Sequence, residues 1–171
     1  LRLAWTYSQV QLRHLDIPLE EAALFRRYAA LLVYPDLSLT AMDAATQAAM
    51  GPQSALWPAG ISGDVPIFLL RLDSDADLPI VREALRMHLY FRARGLLADL
   101  VILNERATSY SEQLQEEINA LSQSYERRRT VEGGNVYVLR RDMLGRETLD
   151  TLLAVARISL HTRNGRLSEQ I

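Results

Sequence analysis

The stretch that decides the fold runs from Leu56 to Leu72 and reads LWPAGISGDVPIFLLRL. Its first half gathers proline, glycine, serine and aspartate, which end helices and favour turns. Its second half, residues 65–72, is an apolar run with the length and flanks of a buried strand. Helical spacing of apolar residues precedes this stretch, and strand and helix patterns alternate after it. We therefore expect a helical lead-in over residues 1–55 and an α/β module over residues 56–171, either packed together as one compact domain or distinct.

The composition excludes several classes of function. The 171 residues carry a formal net charge of -2, so the chain shows no basic surface of the kind that binds nucleic acid. It contains no cysteine, which excludes disulfides, thiolate nucleophiles and thiolate metal sites. The histidines, His14, His88 and His161, are far apart, and their spacing matches no metal site. We expect no metal, no cofactor and no nucleic-acid partner.

Helices are predicted throughout the lead-in. Apolar residues recur at helical spacing over residues 1–15, then up to about Tyr34, where Pro35 ends the pattern, and again over residues 40–50. The chain starts at a leucine inside the first of these patterns, which suggests a piece of a longer protein. No apolar run approaches the roughly 20 residues that span a bilayer.

A strand and helix unit repeats three times in the module. The predicted strands cover residues 65–72, 97–103 and 135–140, and the predicted helices cover residues 78–94, 111–129 and 147–161. Such alternation is typical of parallel strands joined by right-handed crossovers. We therefore predict a small three-layer α/β sandwich with a three-stranded parallel sheet, βαβαβα. A strand order of 2-1-3 would place helices on both faces, whereas 1-2-3 would leave one face for the lead-in helices, and both orders fit the pattern.

Polar residues follow each predicted strand. Asp73 comes after the first strand, Asn104 and Glu105 after the second, and Arg141 after the third. Ligands of open α/β sheets bind at the carboxyl ends of the strands, so these four residues are candidate ligand-binding residues. The alternative is that they are polar because loops are polar. The acidic run from Asp73 onward lacks the glycine and glutamate of a calcium loop, and we expect Asp77 to cap the following helix.

The turn between Trp57 and Asp64 supplies three weaker candidates. Ser62 and Asp64 belong to a turn with two glycines, whose backbone amides could hold an anion. Trp57 could stack on a sugar, as could Trp5 and Tyr90, but aromatic residues more often contact the core or a neighbouring domain. The turn precedes a strand rather than joining a strand to a helix, so it matches no nucleotide-binding fingerprint. A structural turn or a domain interface is the simpler interpretation.

Several motifs carry a family resemblance that spans nearly the whole chain in order. They are AWTYSQV at residues 4–10, LWPAGISGDVPI at 56–67, DLVILNE at 99–105, GGNVYVLR at 133–140 and GRLS at 165–168. Together they resemble the cyclic β-1,2-glucan synthase family.

The resemblance implies a role inside a much larger enzyme. Members of this family join a glucosyltransferase part, which uses UDP-glucose, to a C-terminal part similar to the phosphorylases of glycoside hydrolase family 94. This segment looks like an α/β region of that C-terminal part. The family's catalytic carboxylate belongs to a later helical barrel, and no residue here matches its motif, so no catalytic residue is assigned. The resemblance places the parent protein at the bacterial inner membrane, with this segment soluble and cytoplasmic.

Two hypotheses of different classes follow. The first is a non-catalytic structural or linker domain, whose partners are neighbouring domains of the same polypeptide and which meets β-glucan or phosphate only through the parent enzyme. The second is a regulatory or nucleotide- or sugar-binding module. The second hypothesis requires a cleft at the strand ends in which Asp73, Glu105 and Arg141 converge.

Overall fold

The computed structural model describes residues 17–34, 36–41, 43–106, 111–127 and 132–171. The helices in this part are α1 Leu19–Val33, α2 Ala44–Ala48, α3 Leu78–Ala93, α4 Ser111–Glu126 and α5 Arg146–Val155. The strands are β1 Ile67–Leu72, β2 Asp99–Asn104, β3 Val136–Arg140 and β4 Ile158–His161. The predicted helix over residues 1–15, with Trp5 and His14, lies outside the described residues, as does Pro35.

The strands form one parallel sheet in the order β3-β2-β1-β4. The prediction of an α/β fold with a parallel sheet is confirmed, but the prediction of three strands is wrong because the sheet has four. The three predicted strands follow the order 1-2-3, and β4 pairs with the other side of β1. β1 is therefore an inner strand, which explains why nearly all of its residues are apolar and buried.

The fourth strand corrects the prediction of one helix over residues 147–161. Helix α5 ends at Val155 because the backbone of Ala156 turns extended, with φ -60° and ψ 119°. From there, side chains alternate, with Ile158 and Leu160 buried and Ser159 and His161 half-buried. The apolar residues of β4 continue the helical spacing of those in α5, and no glycine or proline marks the boundary between them. The sequence pattern therefore predicted one longer helix.

Helices cover both faces of the sheet. On one face, α1, α3 and α4 share a core with alternate strand residues such as Phe68 and Leu100. On the other face, α5 and the 3-10 helix Gln53–Ala59 share a second core with Leu69 and Val101. The carboxyl ends of the strands, which carry the predicted site residues, therefore emerge between helical layers.

The lead-in helix α1 is joined to the end of the chain as well as to the sheet. The ring of Tyr28 packs edge-on against Phe68 at 5.5 Å between centroids, and its buried hydroxyl donates a hydrogen bond to Leu167 O at 2.6 Å. Phe25 contacts Tyr90 of α3 at 5.9 Å. Tyr90 is buried, and the structure places it in the core rather than on a sugar-binding surface.

Gly134 allows β3 to reach the sheet. A Cβ atom at Gly134 would lie 1.7 Å from the carbonyl oxygen of Ala98, so only glycine fits there. The next amide, that of Asn135, donates to Asp99 Oδ1 at 2.8 Å, and Arg92 Nε donates to Gly134 O at 2.9 Å. Asp99 is buried, and burial raises the pKa of its carboxyl. These contacts set the register in which β3 pairs with β2.

Candidate functional site

The carboxyl edge, by which we mean the loops that follow the four strands, contains a topological switch point. The loop after β2 leads to α4 on one face, whereas the loop after β3 leads to α5 on the other. The strand order β3-β2-β1-β4 reverses between β1 and β4, and open α/β sheets bind ligands where the strand order reverses. Glu105 follows β2, the strand next to β1, and Arg141 follows β3. Arg141 Nη1 is 3.5 Å from Glu105 Oε1.

Glu105 is the centre of the carboxyl edge. Its side chain is only 8% exposed, and it accepts two hydrogen bonds from Arg71, from Nε at 3.0 Å and from Nη2 at 3.2 Å. Such a bidentate pair neutralises the carboxylate and fixes its orientation. Because Arg71 belongs to β1 and Glu105 follows β2, the pair links two strands. Arg71 was not among the residues predicted from the sequence, although a lone charge inside the apolar run IFLLRL was the available signal.

His161, at the end of β4, faces the same carboxylate. Its Nδ1 accepts a hydrogen bond from the amide of Arg163 at 3.1 Å, so the neutral ring carries its proton on Nε2. Nε2 lies 3.4 Å from Glu105 Oε2 and makes no hydrogen bond within the described residues. Burial lowers the pKa of His161, and this effect outweighs the opposing influence of Glu105. His161 is therefore an uncharged neighbour of the Arg71–Glu105 pair near neutral pH.

The other predicted strand-end residues have separate partners. Asp73 forms an ion pair with Arg163. Asn104 donates to Gln115 Oε1 at 3.2 Å and accepts from the amide of Arg106 at 3.1 Å. The structure thus brings Glu105 and Arg141 into contact, whereas Asp73 and Asn104 are engaged with neighbours of their own.

Asp77 differs from its predicted role. It occupies the N-cap position of α3, but its side chain makes no capping hydrogen bond to the helix. Instead, Asp77 Oδ2 accepts from the hydroxyl of Thr162 at 2.7 Å. Its backbone is already helical because a short 3-10 turn, Asp75–Asp77, precedes α3, and Ser74 caps that turn. Asp77 therefore joins the start of α3 to the end of β4.

A second candidate surface, the Trp57 cavity, lies beside the turn that precedes β1. Its volume is about 550 Å³, and it is lined by Gln53, Trp57, Gly60, Ile61, Ser62 and Asp64. The three turn residues singled out from the sequence all line this cavity. Trp57 is 65% exposed, so its indole is at the surface and does not belong to the core.

The walls of the Trp57 cavity are held by their own hydrogen bonds. Gln53 Nε2 donates to Ser62 O at 2.8 Å and to Asp64 Oδ1 at 3.0 Å. The turn has positive φ angles at two glycines, 76° at Gly60 and 77° at Gly63. This conformation favours glycine. The cavity is thus formed within one segment of 12 residues, 53–64, and its shape depends on no distant loop.

The described residues contain neither a candidate metal site nor a helix that could span a membrane. In the part of the chain that the structure describes, no group of three or more His, Asp or Glu residues is placed to hold a metal ion. No helix among the described elements is both long and apolar enough to cross a bilayer.

Comparison with known proteins supplies one strong similarity. No family model matches the chain. Over 170 residues it is 46% identical to the cyclic beta-(1,2)-glucan synthase NdvB of Rhizobium meliloti (strain 1021). The aligned region covers 98% of this chain but 6% of that protein, so the chain spans a small part of its relative's length. The similarity agrees with the family resemblance inferred from the motifs.

Proposed function

We propose that this chain is a non-catalytic structural segment of a large cyclic β-1,2-glucan synthase. The observation that carries the proposal is the 46% identity, which extends over 98% of the chain and matches only 6% of the glucan synthase. Similarity along nearly the whole chain supports a shared fold and a shared position inside a longer polypeptide.

The pairing of charges at the carboxyl edge supports a structural role. General acid and base catalysis needs a carboxyl group that can exchange a proton with a substrate. Among the described residues of this edge, Glu105 is paired with Arg71, Asp73 with Arg163, and Asp75 with Arg106. Glu105, which follows β2, lies beside the ends of the other three strands: it pairs with Arg71 of β1, and it lies within 3.5 Å of Arg141 after β3 and of His161 in β4.

The proposed setting follows from the family resemblance. The parent enzyme uses UDP-glucose in its glucosyltransferase part and trims or regulates the glucan by reaction with phosphate in a phosphorylase-like part. The segment links or braces that phosphorylase-like part, and its partners are neighbouring domains of the same polypeptide. The parent enzyme resides at the bacterial inner membrane, with this segment on the cytoplasmic side.

The test is the variant Glu105→Gln in the intact polypeptide that carries this chain. We expect lower thermal stability, because Arg71 loses its buried counter-charge, and an unchanged rate of glucan synthesis per folded enzyme, with an unchanged KM for UDP-glucose. Asp142→Asn is the matched control, since Asp142 pairs with Arg140 two residues away on the surface and should leave both quantities unchanged. A folded Glu105→Gln enzyme with unaltered stability and lost turnover would contradict the structural role.

The contact between Glu105 and Arg141 favours a second candidate, a regulatory or nucleotide- or sugar-binding module at the carboxyl edge. Arg141 is half exposed, which leaves its guanidinium available to an anionic ligand. Calorimetric titration with UDP-glucose and with phosphate tests this candidate. Saturable binding that is weakened in Arg141→Gln would replace the structural role, whereas binding that is unaffected by this variant would remove the second candidate.

A further inference from the structure

We propose that the Trp57 cavity is a binding subsite for a segment of β-glucan, an uncharged carbohydrate chain. The inference rests on the proposed function for the kind of glucan, but the cavity itself is defined by residues 53–64 alone. It would give this segment a direct contact with the product of the parent enzyme, beyond a purely structural role.

The indole of Trp57 supplies the apolar surface. Its neighbours Ala55 and Leu56 are buried, Leu56 in the second core, whereas Trp57 is turned outward to the cavity. A large aromatic ring left in water forgoes the free energy that its burial would contribute, so the exposed indole of Trp57 offers a flat apolar face that a ligand can bury. The flat C–H face of a glucose ring is a suitable cover, because it buries the indole while its hydroxyls point outward.

The polar groups of the cavity match those hydroxyls. Gln53 uses its amide nitrogen for both of its hydrogen bonds, so its Oε1 is available to accept. Ser62 Oγ accepts from the amide of Asp64 at 3.3 Å, which leaves the hydroxyl proton for donation. Asp64 uses Oδ1, and its Oδ2 has no hydrogen bond within the described residues. Acceptors and a donor at short spacing suit the neighbouring hydroxyls of a sugar.

The charge of the cavity selects against phosphates. Its lining contains one carboxylate, that of Asp64, and no arginine or histidine. A phosphate or a nucleotide sugar would meet Asp64 without a compensating cation, whereas a neutral glucan would not. The cavity has a volume of about 550 Å³ and is open to solvent. Because the walls are already fixed by the Gln53 hydrogen bonds, little ordering is needed on binding.

The experiment is hydroxyl-radical footprinting of the intact polypeptide, read at single residues by mass spectrometry. Linear β-1,2-glucooligosaccharide is the ligand, and inorganic phosphate is the comparison. We expect the oligosaccharide to protect Trp57 in a saturable way and phosphate to leave it reactive. Tyr34, another exposed aromatic residue that lies outside the cavity, should react equally with and without ligand. Asp64→Asn should raise the half-protecting concentration about tenfold, the effect of losing one charge-assisted hydrogen bond.

Each result decides the inference. Trp57 that is unreactive before any ligand is added would show that a neighbouring domain covers it, and Trp57 that stays reactive with the oligosaccharide would show that no glucan binds; either overturns the subsite. Protection that Asp64→Asn does not weaken would overturn the assigned contacts. The proposed function has a separate test, which is glucan synthesis from UDP-glucose by the intact polypeptide. If no glucan is made, the proposed function is wrong, whatever the protection of Trp57 shows.

Discussion

Glu105 shows how one carboxylate can organise the end of a sheet. It is buried, it holds Arg71 through two hydrogen bonds, and it lies within 3.5 Å of Arg141 and His161. A buried ion pair adds little net stability compared with apolar residues of the same shape, but removing one partner leaves the other uncompensated. The side chains around Glu105 therefore depend on its charge, and His161, which is uncharged near neutral pH, is the one that pH can alter.

His161 should make the stability of the chain depend on mildly acidic pH. Burial lowers the pKa of His161 from its ordinary value of 6.5, so the unfolded chain takes up this proton before the folded chain does. Stability is then present above pH 6.5 and falls as the pH drops from that value towards the lower folded pKa. Glu105, Asp73, Arg71 and Arg163 all act on the ring, and Arg71 and Arg163 reinforce the lowering.

The measurement compares urea unfolding of wild type and His161→Gln at about pH 7.5 and about pH 5. We expect wild type to lose more free energy of unfolding between these pH values than the variant, which cannot take up a proton at this position. Carboxylates titrate in both proteins and cancel in the difference. An equal loss in both proteins, or a larger one in the variant, would mean that His161 is not held neutral.

At the scale of elements, β4 completes the sheet. It covers the side of β1 that β2 does not use, and the amide of Arg157 donates to Ile67 O at 3.0 Å where the pairing begins. Its two faces differ. Leu160 points into the core shared with α1 and α3, whereas the hydroxyl of Ser159, on the opposite face, is buried without a hydrogen-bond partner among the described residues.

We expect side-chain truncation on the two faces of β4 to have different effects on the free energy of unfolding. Leu160→Ala should lower the free energy of unfolding by about 2–4 kcal/mol, because it leaves a cavity in a closed core. Ser159→Ala is the matched control, and it should be neutral or slightly stabilising, since it removes a buried hydroxyl that lacks a partner. Denaturant unfolding followed by circular dichroism measures both. A small effect of Leu160→Ala, within about 0.5 kcal/mol, would contradict the assignment of residues 158–161 to a buried strand.

Most elements could be predicted from the sequence, and the exceptions have physical causes. The first three strands stand out because each is a nearly uniform apolar run bounded by turn residues. β4 has only four residues, too few to show a period of its own beside α5. Glu105 and Arg141 could be placed at one edge from the strand pattern alone. His161 could not, because its contact with Glu105 depends on β4 returning to the side of β1, which local sequence does not record. Arg71 could have been placed there too, as the one charged residue in the apolar run of β1.

At the scale of the whole molecule, α1 and the α/β module share one core. Phe25, Tyr28 and Leu32 are fully buried in the same cluster as strand residues of β1, β2 and β4. We therefore propose that the lead-in and the module, divided at residue 55 in the sequence analysis, unfold as one cooperative unit.

Two neighbouring residues of α1 test this cooperativity. Leu32→Ala should lower the free energy of unfolding of the entire chain by about 2–5 kcal/mol, since Leu32 is fully buried. Val33→Ala is the control, because Val33 is half exposed and should change stability by less than about 0.5 kcal/mol. Circular dichroism and tryptophan fluorescence should report the same single transition in every variant. Two transitions, with only one shifted by Leu32→Ala, would show that the lead-in is a separate unit.

The bond between Tyr28 and Leu167 has a consequence for biosynthesis. The apolar face of α1 leaves the ribosome before the sheet does, and the carbonyl that accepts the Tyr28 hydroxyl is made 139 residues after Tyr28. Until β4 has emerged, one edge of β1 also lacks its strand partner. A nascent chain halted after β3 would therefore expose both the apolar face of α1 and an unpaired edge of β1. Chaperones shield intermediates of this kind during translation.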